Sequence, residues 1–307
     1  MQITGTRGKF SYRLFGFRVL SDINLPELGP PGSDQDSTNM DVSIELGAVA
    51  TSLDDGVRVH GYFEFNKTEC LVDIEGIARL EISGGKRIVV EPVQGAAEND
   101  IRAYLFGTGM AVLLHQRKCL PLHISAVQSP AGVIAFTGES GAGKSTLAGL
   151  IHKKSGWPML CDDLAVATQS ETRPILHGGM LRLKLWSDAI ERLSATADMK
   201  TRDTTREDKY HLISPKMFVN GPLPMTALLM IGESNDISIR PINGAAAFSS
   251  IMNTIYRPEL VNIFNDRATI MKYCAKIADQ IDVYAFARPW GFSTIDEGAD
   301  RIIEYFS

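Results

Sequence analysis

The sequence predicts an α/β protein in two parts. Residues 1–97 form an N-terminal antiparallel β-rich domain, and residues 98–307 form a second domain with a mixed sheet and flanking helices. Three observations predict this. Short alternating apolar segments separated by glycine turns fill the first part. A strand, a glycine-rich loop, a helix and a further strand follow one another between residues 122 and 167. Later apolar segments at residues 225–231 and 237–241 read as strands with no helix between them, which makes the second sheet mixed.

Taken in order, residues 12–20 (YRLFGFRVL) combine aromatic and branched apolar side chains and read as one strand. Residues 29–39 (GPPGSDQDSTN) carry no large apolar side chain and have the composition of an exposed loop. Residues 41–46 (DVSIEL) alternate and return to strand. From residue 57 to residue 93 the alternation repeats, with breaks at Lys67-Thr68, Gly76 and Gly84-Gly85. Residues 101–117 place Leu105, Met110, Val112 and Leu113 at helical spacing, and residues 295–306 form an amphipathic C-terminal helix.

Composition excludes several classes. Apolar residues make up 44% and charged residues 22% of 307, so the chain is neither disordered nor fibrous. A net charge of −5 without a basic stripe argues against a nucleic-acid partner. No apolar run is long enough to span a bilayer. Cys70, Cys119, Cys161 and Cys274 are too scattered for a zinc knuckle or a redox pair. With no apolar signal segment at the start, a cytoplasmic protein is expected.

Gly138, Glu139, Ser140, Gly141, Ala142, Gly143, Lys144 and Ser145 fit G-x-x-x-x-G-K-[ST] without mismatch. The glycines let successive backbone N–H groups turn inward toward phosphate oxygens, and the following helix aims its positive end at the same anion. Lys144 adds a charge for the terminal phosphates of ATP, and the Ser145 hydroxyl is a ligand for Mg²⁺. Thr146 follows and supports the helix start, and we count it with the nucleotide-binding residues. Asp162 and Asp163 end the next strand, one helix and one turn after Lys144. Beside phosphates, one carboxylate can hold Mg²⁺ and the other accept a hydroxyl proton; read alone, the pair also fits a turn or a helix cap. Residues 200–215 carry Lys200, Arg202, Arg206, Lys209 and His211 and read as a solvated loop or a flap over the phosphates. Arg182 and Arg257 are further candidate cations, and Cys161 reads as a small buried strand residue.

At Leu122-His123, the loop from Gly138 to Ser145, and Asp162-Asp163, the chain resembles the HPr kinase/phosphorylase superfamily of P-loop kinases. The overlap is strongest over residues 121–167. Residues 14–28 and 102–123 resemble the branch of kinase homologues found with lasso-peptide pathways, which phosphorylate a serine of a precursor peptide. The resemblance implies an HPr-kinase-like P-loop domain with Asp162 as general base and Asp163 nearer the metal, beside Ser145. It implies that His123 lies near the transferred phosphate and that Lys209 supplies a cation; Arg182, on the strand expected after Gly178-Gly179, is the second choice. It also implies a homo-oligomer. Thr146 stands where HPr kinases carry Glu, and residues 177–183 lack their downstream glycine signature, which argues against the reverse reaction and against HPr as the acceptor. The expected partner is a precursor peptide or a small protein, recognised by the β-rich domain. A carrier-protein kinase, a metabolite kinase and a non-catalytic ATP-dependent binding module are the alternatives.

Overall fold

The computed structural model describes residues 9–32, 40–59, 61–193, 199–202, 208–219 and 221–307. They form two compact units. The first runs to Leu120 and takes up residues 257–267; the second begins at Pro121 and holds the rest of the described residues.

The first unit is built on β1 (Phe10–Leu14), β2 (Phe17–Ser21), β3 (Val42–Leu46), β4 (Val57–Val59), β5 (Phe63–Phe65), β6 (Glu69–Ile74), β7 (Ala78–Ser83) and β8 (Arg87–Pro92). They form one sheet in the order β1-β2-β3-β8-β7-β6-β5-β4. Two readings are corrected here. Residues 12–20 are a hairpin, because Phe15 and Gly16 both take positive φ (54° and 85°) and turn the chain back in two residues. The sheet is also not wholly antiparallel: β3 lies parallel to both β2 and β8. Of the loop expected at residues 29–39, residues 33–39 lie outside the described residues.

A continuous helical segment follows: α1 (Glu98–Tyr104), a π-helical turn at Leu105–Gly109, and α2 (Met110–Gln116). Its Ile101, Leu105, Phe106 and Met110 are buried, and Gly109 faces Leu80 and Ile88 of the sheet. This apolar face is why residues 98–120 pack with the β-rich unit, where the sequence placed a domain boundary at 97/98.

The second unit contains β9 (Leu120–Leu122), β10 (Ser125–Ser129), β11 (Gly132–Thr137), α3 (Lys144–Ser155), β12 (Met159–Cys161), β13 (Ala165–Thr168) and β14 (Ile175–His177). It continues with β15 (Arg182–Trp186), α4 (Ser187–Leu193), β16 (Met199–Arg202), β17 (Lys209–Ile213), β18 (Pro222–Glu233), β19 (Ser238–Pro241) and α5 (Gly244–Met252). The short α6 (Val261–Phe264) belongs to the first unit; α7 (Arg267–Gln280), β20 (Asp282–Arg288) and α8 (Phe292–Phe306) complete the second.

Strand direction places the site. β11, β18 and β20 run parallel, and β10 is antiparallel to both β11 and β12. The carboxyl ends of β11, β12, β18 and β20 therefore point the same way, and β10 begins at that end. Ligands in such sheets bind beyond the carboxyl ends of the strands. Behind that end Phe136, Leu147, Ile151, Phe286, Ala299 and Ile302 form a core between the sheet and helices α3 and α8. β15, β17 and β16 make a separate three-stranded sheet. The stretch read as a loop at residues 200–215 is thus partly strand. Lys209 opens β17, whose apolar residues Leu212 and Ile213 are buried, and residues 203–207, Arg206 among them, lie outside the described residues. No helix among the described residues is long and apolar enough to cross a membrane.

Candidate functional site

β11 delivers the chain into the glycine loop at Thr137. Gly138, Gly141 and Gly143 all hold positive φ (147°, 94° and 93°), which a side chain would oppose. Gly138 has a second constraint, since a Cβ there would stand 2.9 Å from the Ile231 carbonyl oxygen. Gly143 caps α3, whose N-terminus faces the loop. Lys144 is buried, and its Nζ donates to the carbonyls of Gly138 (2.9 Å) and Glu139 (3.2 Å). Burial lowers its pKa, while Asp162 and Asp163 favour the charged form.

β12 delivers the carboxylate pair. Asp162 is 1% exposed. Its Oδ1 accepts from the Ser125 hydroxyl at 2.6 Å and its Oδ2 from the Lys184 backbone N–H at 2.9 Å. Burial, then the neighbouring Asp163, raises its pKa, and hydrogen bonds from Ser125, Lys184 and Ser145 only partly offset this. Asp163 takes a left-handed conformation (φ 75°), which Asp tolerates better than most side chains. Burial would raise its pKa, but the hydrogen bond from His123 and the charges of Lys184, His123 and Arg182 outweigh burial and hold it well below the usual carboxylate range. His123 Nε2 lies 3.3 Å from Asp163 Oδ1. The histidine stands just after β9, not on a strand, and its backbone N–H donates to the Thr254 carbonyl at 2.6 Å. The Tyr256 ring meets it edge-on at 5.7 Å.

These groups meet in a cavity of about 390 Å³. Of the residues expected from sequence, His123, Asp163, Lys209 and the whole run from Glu139 to Thr146 line it. Gly138 forms the base of the loop. Asp162 and Arg182 lie behind the wall: Arg182 is buried, with Nη1 3.3 Å from His211 Nδ1, and reaches the site through its charge on Asp163. Arg257 belongs to the first unit, where it pairs with Glu259 at 3.7 Å. Cys161 is buried, and burial with the two aspartates pushes its thiol pKa up, so it is not a reactive thiolate.

Sequence reasoning missed five residues: Ser125, Lys184, Trp186, Arg288 and Trp290. Lys184 and Trp186 share one face of β15 while Leu183 and Leu185 are buried on the other, so strand periodicity alone could have found them. Lys209 Nζ stands 5.5 Å from the centre of the Trp186 ring. Arg288 ends β20; its guanidinium donates to the carbonyls of Pro289 (2.9 Å), Gly291 (3.2 Å) and Ala142 (3.2 Å). The cations Lys144, Lys184, Lys209 and Arg288 exceed the lining carboxylates Glu139 and Asp163, which suits an anionic ligand.

No family model matches the chain, and no curated protein matches it. Among solved structures it is similar to the HPr(Ser) kinase/phosphatase from Coxiella burnetii, at 13% identity and a TM-score of 0.32, over 60% of this chain and 94% of that one.

The residues present suit Mg²⁺. Among the described residues no cluster of three or more His, Cys, Asp or Glu side chains could cage a metal. Mg²⁺ takes one or two carboxylates and draws its other ligands from phosphates and water. The Ser145 hydroxyl and the charged Asp163 carboxylate, both on the cavity wall, are such a donor set.

Proposed function

We propose that this chain is an ATP-dependent kinase that phosphorylates a serine hydroxyl of a precursor peptide. One observation carries the reading: the glycine loop with Lys144 and the turn carrying Asp162-Asp163 meet at one cavity, at the shared carboxyl end of parallel strands. Mg²⁺ accounts for one carboxylate beside the loop, and the second is left for proton transfer. The peptide acceptor rests on the resemblance of residues 14–28 and 102–123 to kinases of lasso-peptide pathways. The four cysteines, all free, suit a cytoplasmic setting.

In this reading the loop amides and Lys144 hold the phosphates of ATP, and Ser145 with Asp163 holds Mg²⁺, which supplies charge neutralisation on the phosphates when bound. The acceptor oxygen forms a bond to the γ-phosphorus, the bond to the β-phosphate oxygen breaks, and ADP leaves. Asp162 accepts the serine proton. Its raised pKa makes it the stronger base of the pair, and Ser125 and the Lys184 amide fix its orientation. Lys184 and Lys209 offset charge on the transferred group. A second assignment is favoured by a separate observation: Asp163 and His123, not Asp162, line the cavity, which exchanges the two aspartate roles.

The test is phosphate transfer to an encoded neighbouring precursor peptide by Asp162→Asn and Asp163→Asn, with Mg-ATP affinity measured by calorimetry on each. Loss of transfer with affinity retained in Asp162→Asn alone supports Asp162 as base; the same pattern in Asp163→Asn alone exchanges the roles. Transfer to a carrier protein or a metabolite, with none to the peptide, would move the acceptor class.

A further inference from the structure

We infer that Trp290 is the platform on which the purine base of the nucleotide stacks; the inference rests on the nucleotide reading above and names how that same site holds its donor. The cavity of the glycine loop carries two exposed tryptophans, Trp186 (40% exposed) and Trp290 (42%). Aromatic side chains beside a few convergent polar groups are what line ligand sites.

The two stand at different ends. Trp186 follows Lys184, whose backbone holds Asp162, and it meets Lys209. That is the carboxylate end, where the acceptor hydroxyl must come. Trp290 stands with Gly291 and Ile295, next to Arg288, which reaches the backbone of Ala142. A Cβ at Gly143, the cap of α3, would stand 3.1 Å from Arg288 Nη2 and 3.3 Å from Ile295 Cδ1. β20, which ends at Arg288, lies beyond β18 on one side of β11, and β12, which delivers the carboxylates, lies beyond β10 on the other, so Trp290 is tied to the loop on the side away from the carboxylates. A nucleotide with its terminal phosphate toward Asp163 extends its base in that direction.

The platform is held in advance. The Arg288 guanidinium lies over one face of the indole, 4.9 Å from the ring centre, and three backbone carbonyls fix it there. The indole stays 42% exposed and lines the cavity, so the surface that Arg288 does not cover is open to a ligand. A rigid indole backed by a cation orders little on binding. Stacking on it reads the ring face shared by adenine and guanine, not their edges.

The experiment measures the affinity of the full chain, with Mg²⁺, for ATP, GTP and inorganic tripolyphosphate by calorimetry. Wild type is compared with Trp290→Ala and Trp290→Phe. Stacking of one base corresponds to roughly 5- to 150-fold in affinity. We expect Trp290→Ala to weaken ATP and GTP together by at least about 10-fold within that range, with tripolyphosphate unchanged and Trp290→Phe within a few-fold of wild type. Equal loss of all three ligands would make Trp290 a support of the loop and overturn the inference. So would unchanged ATP affinity in Trp290→Ala, a loss confined to ATP, or wild type that binds tripolyphosphate as tightly as ATP. Wild type that binds none of the three would refute the nucleotide reading itself, a result distinct from each of these.

Discussion

The sheet of the first unit and the carboxyl end of the second unit's sheet bury opposite kinds of side chain. In the first, Leu80, Ile82, Ile88 and Val90 are fully buried on alternating positions, and the charged pairs Arg79–Glu91 and Arg87–Glu45 lie toward solvent. In the second, Lys144, Asp162 and Arg288 are buried at the carboxyl end of the large sheet, and Arg182 and His211 are buried on the separate sheet of β15 and β17. The first arrangement follows from removing apolar area from water. The second costs desolvation at every group and is tolerated only because each finds a partner. Such a concentration of cost is expected where chemistry is done. The first unit also buries titratable groups, among them the pair of Arg102 and Glu27 at 2.9 Å. Arg102 also reaches Glu98 at 3.6 Å, and none of the three lines the cavity of the glycine loop, which makes the pair a useful control.

The comparison breaks first at Asp162. Asp162→Asn should lower the turnover of phosphate transfer by about 10²–10⁴-fold, the range for losing a positioned general base; steady-state kinetics at saturating ATP gives the value. The matching change in the first unit, Arg102→Met, should leave kcat unaltered at temperatures where the chain is folded. It should lower stability by about 3–5 kcal/mol in urea unfolding, because Glu27 is left buried without its cation. A smaller effect is expected at Gly178. A Cβ there would stand 2.2 Å from the Leu160 carbonyl oxygen, on the strand that delivers the aspartates. Gly178→Ala should therefore cost about 1–3 kcal/mol and shift the carboxylate turn, so transfer falls along with stability.

The smallest effect carries a sign. The pKa of Asp162 is raised by burial, so the folded chain binds a proton that the unfolded chain has already released, and stability falls as pH rises from the ordinary carboxylate range up to the raised value. Asp162→Asn lacks this fall. Relative to wild type, the stability of Asp162→Asn should therefore shift in the variant's favour between pH 4 and pH 7, read by calorimetry as the change in the Tm difference between the two proteins. A variant that loses activity and gains stability would mark the buried charge as functional; one that loses both would mark it as structural.

The same contrast explains what could be read from sequence. Alternation gave the strands from residue 57 to residue 93, because burial on one face imposes a period of two. It could not give their partners, so the parallel pairs at β3 went unseen. The turn at Phe15-Gly16 lacks the usual Asn-Gly or Asp-Gly signature and hid a hairpin within one apolar run. The glycine loop was legible because phosphate binding demands fixed residues at fixed spacing. The rest of its wall was not: Arg288 meets Ala142 across 146 residues, and only the fold brings them together. Lys184 and Trp186 were within reach of strand periodicity once residues 182–186 were read as a strand.

The most direct test of the central claim is intact-mass spectrometry of an encoded neighbouring precursor peptide after incubation with this protein, ATP and Mg²⁺, beside the same reaction with Asp162→Asn. The account predicts a mass gain of one phosphate with wild type only, placed on a serine by fragmentation. No gain on any acceptor, with ATP bound but never turned over, would contradict it and leave a nucleotide-dependent binding module.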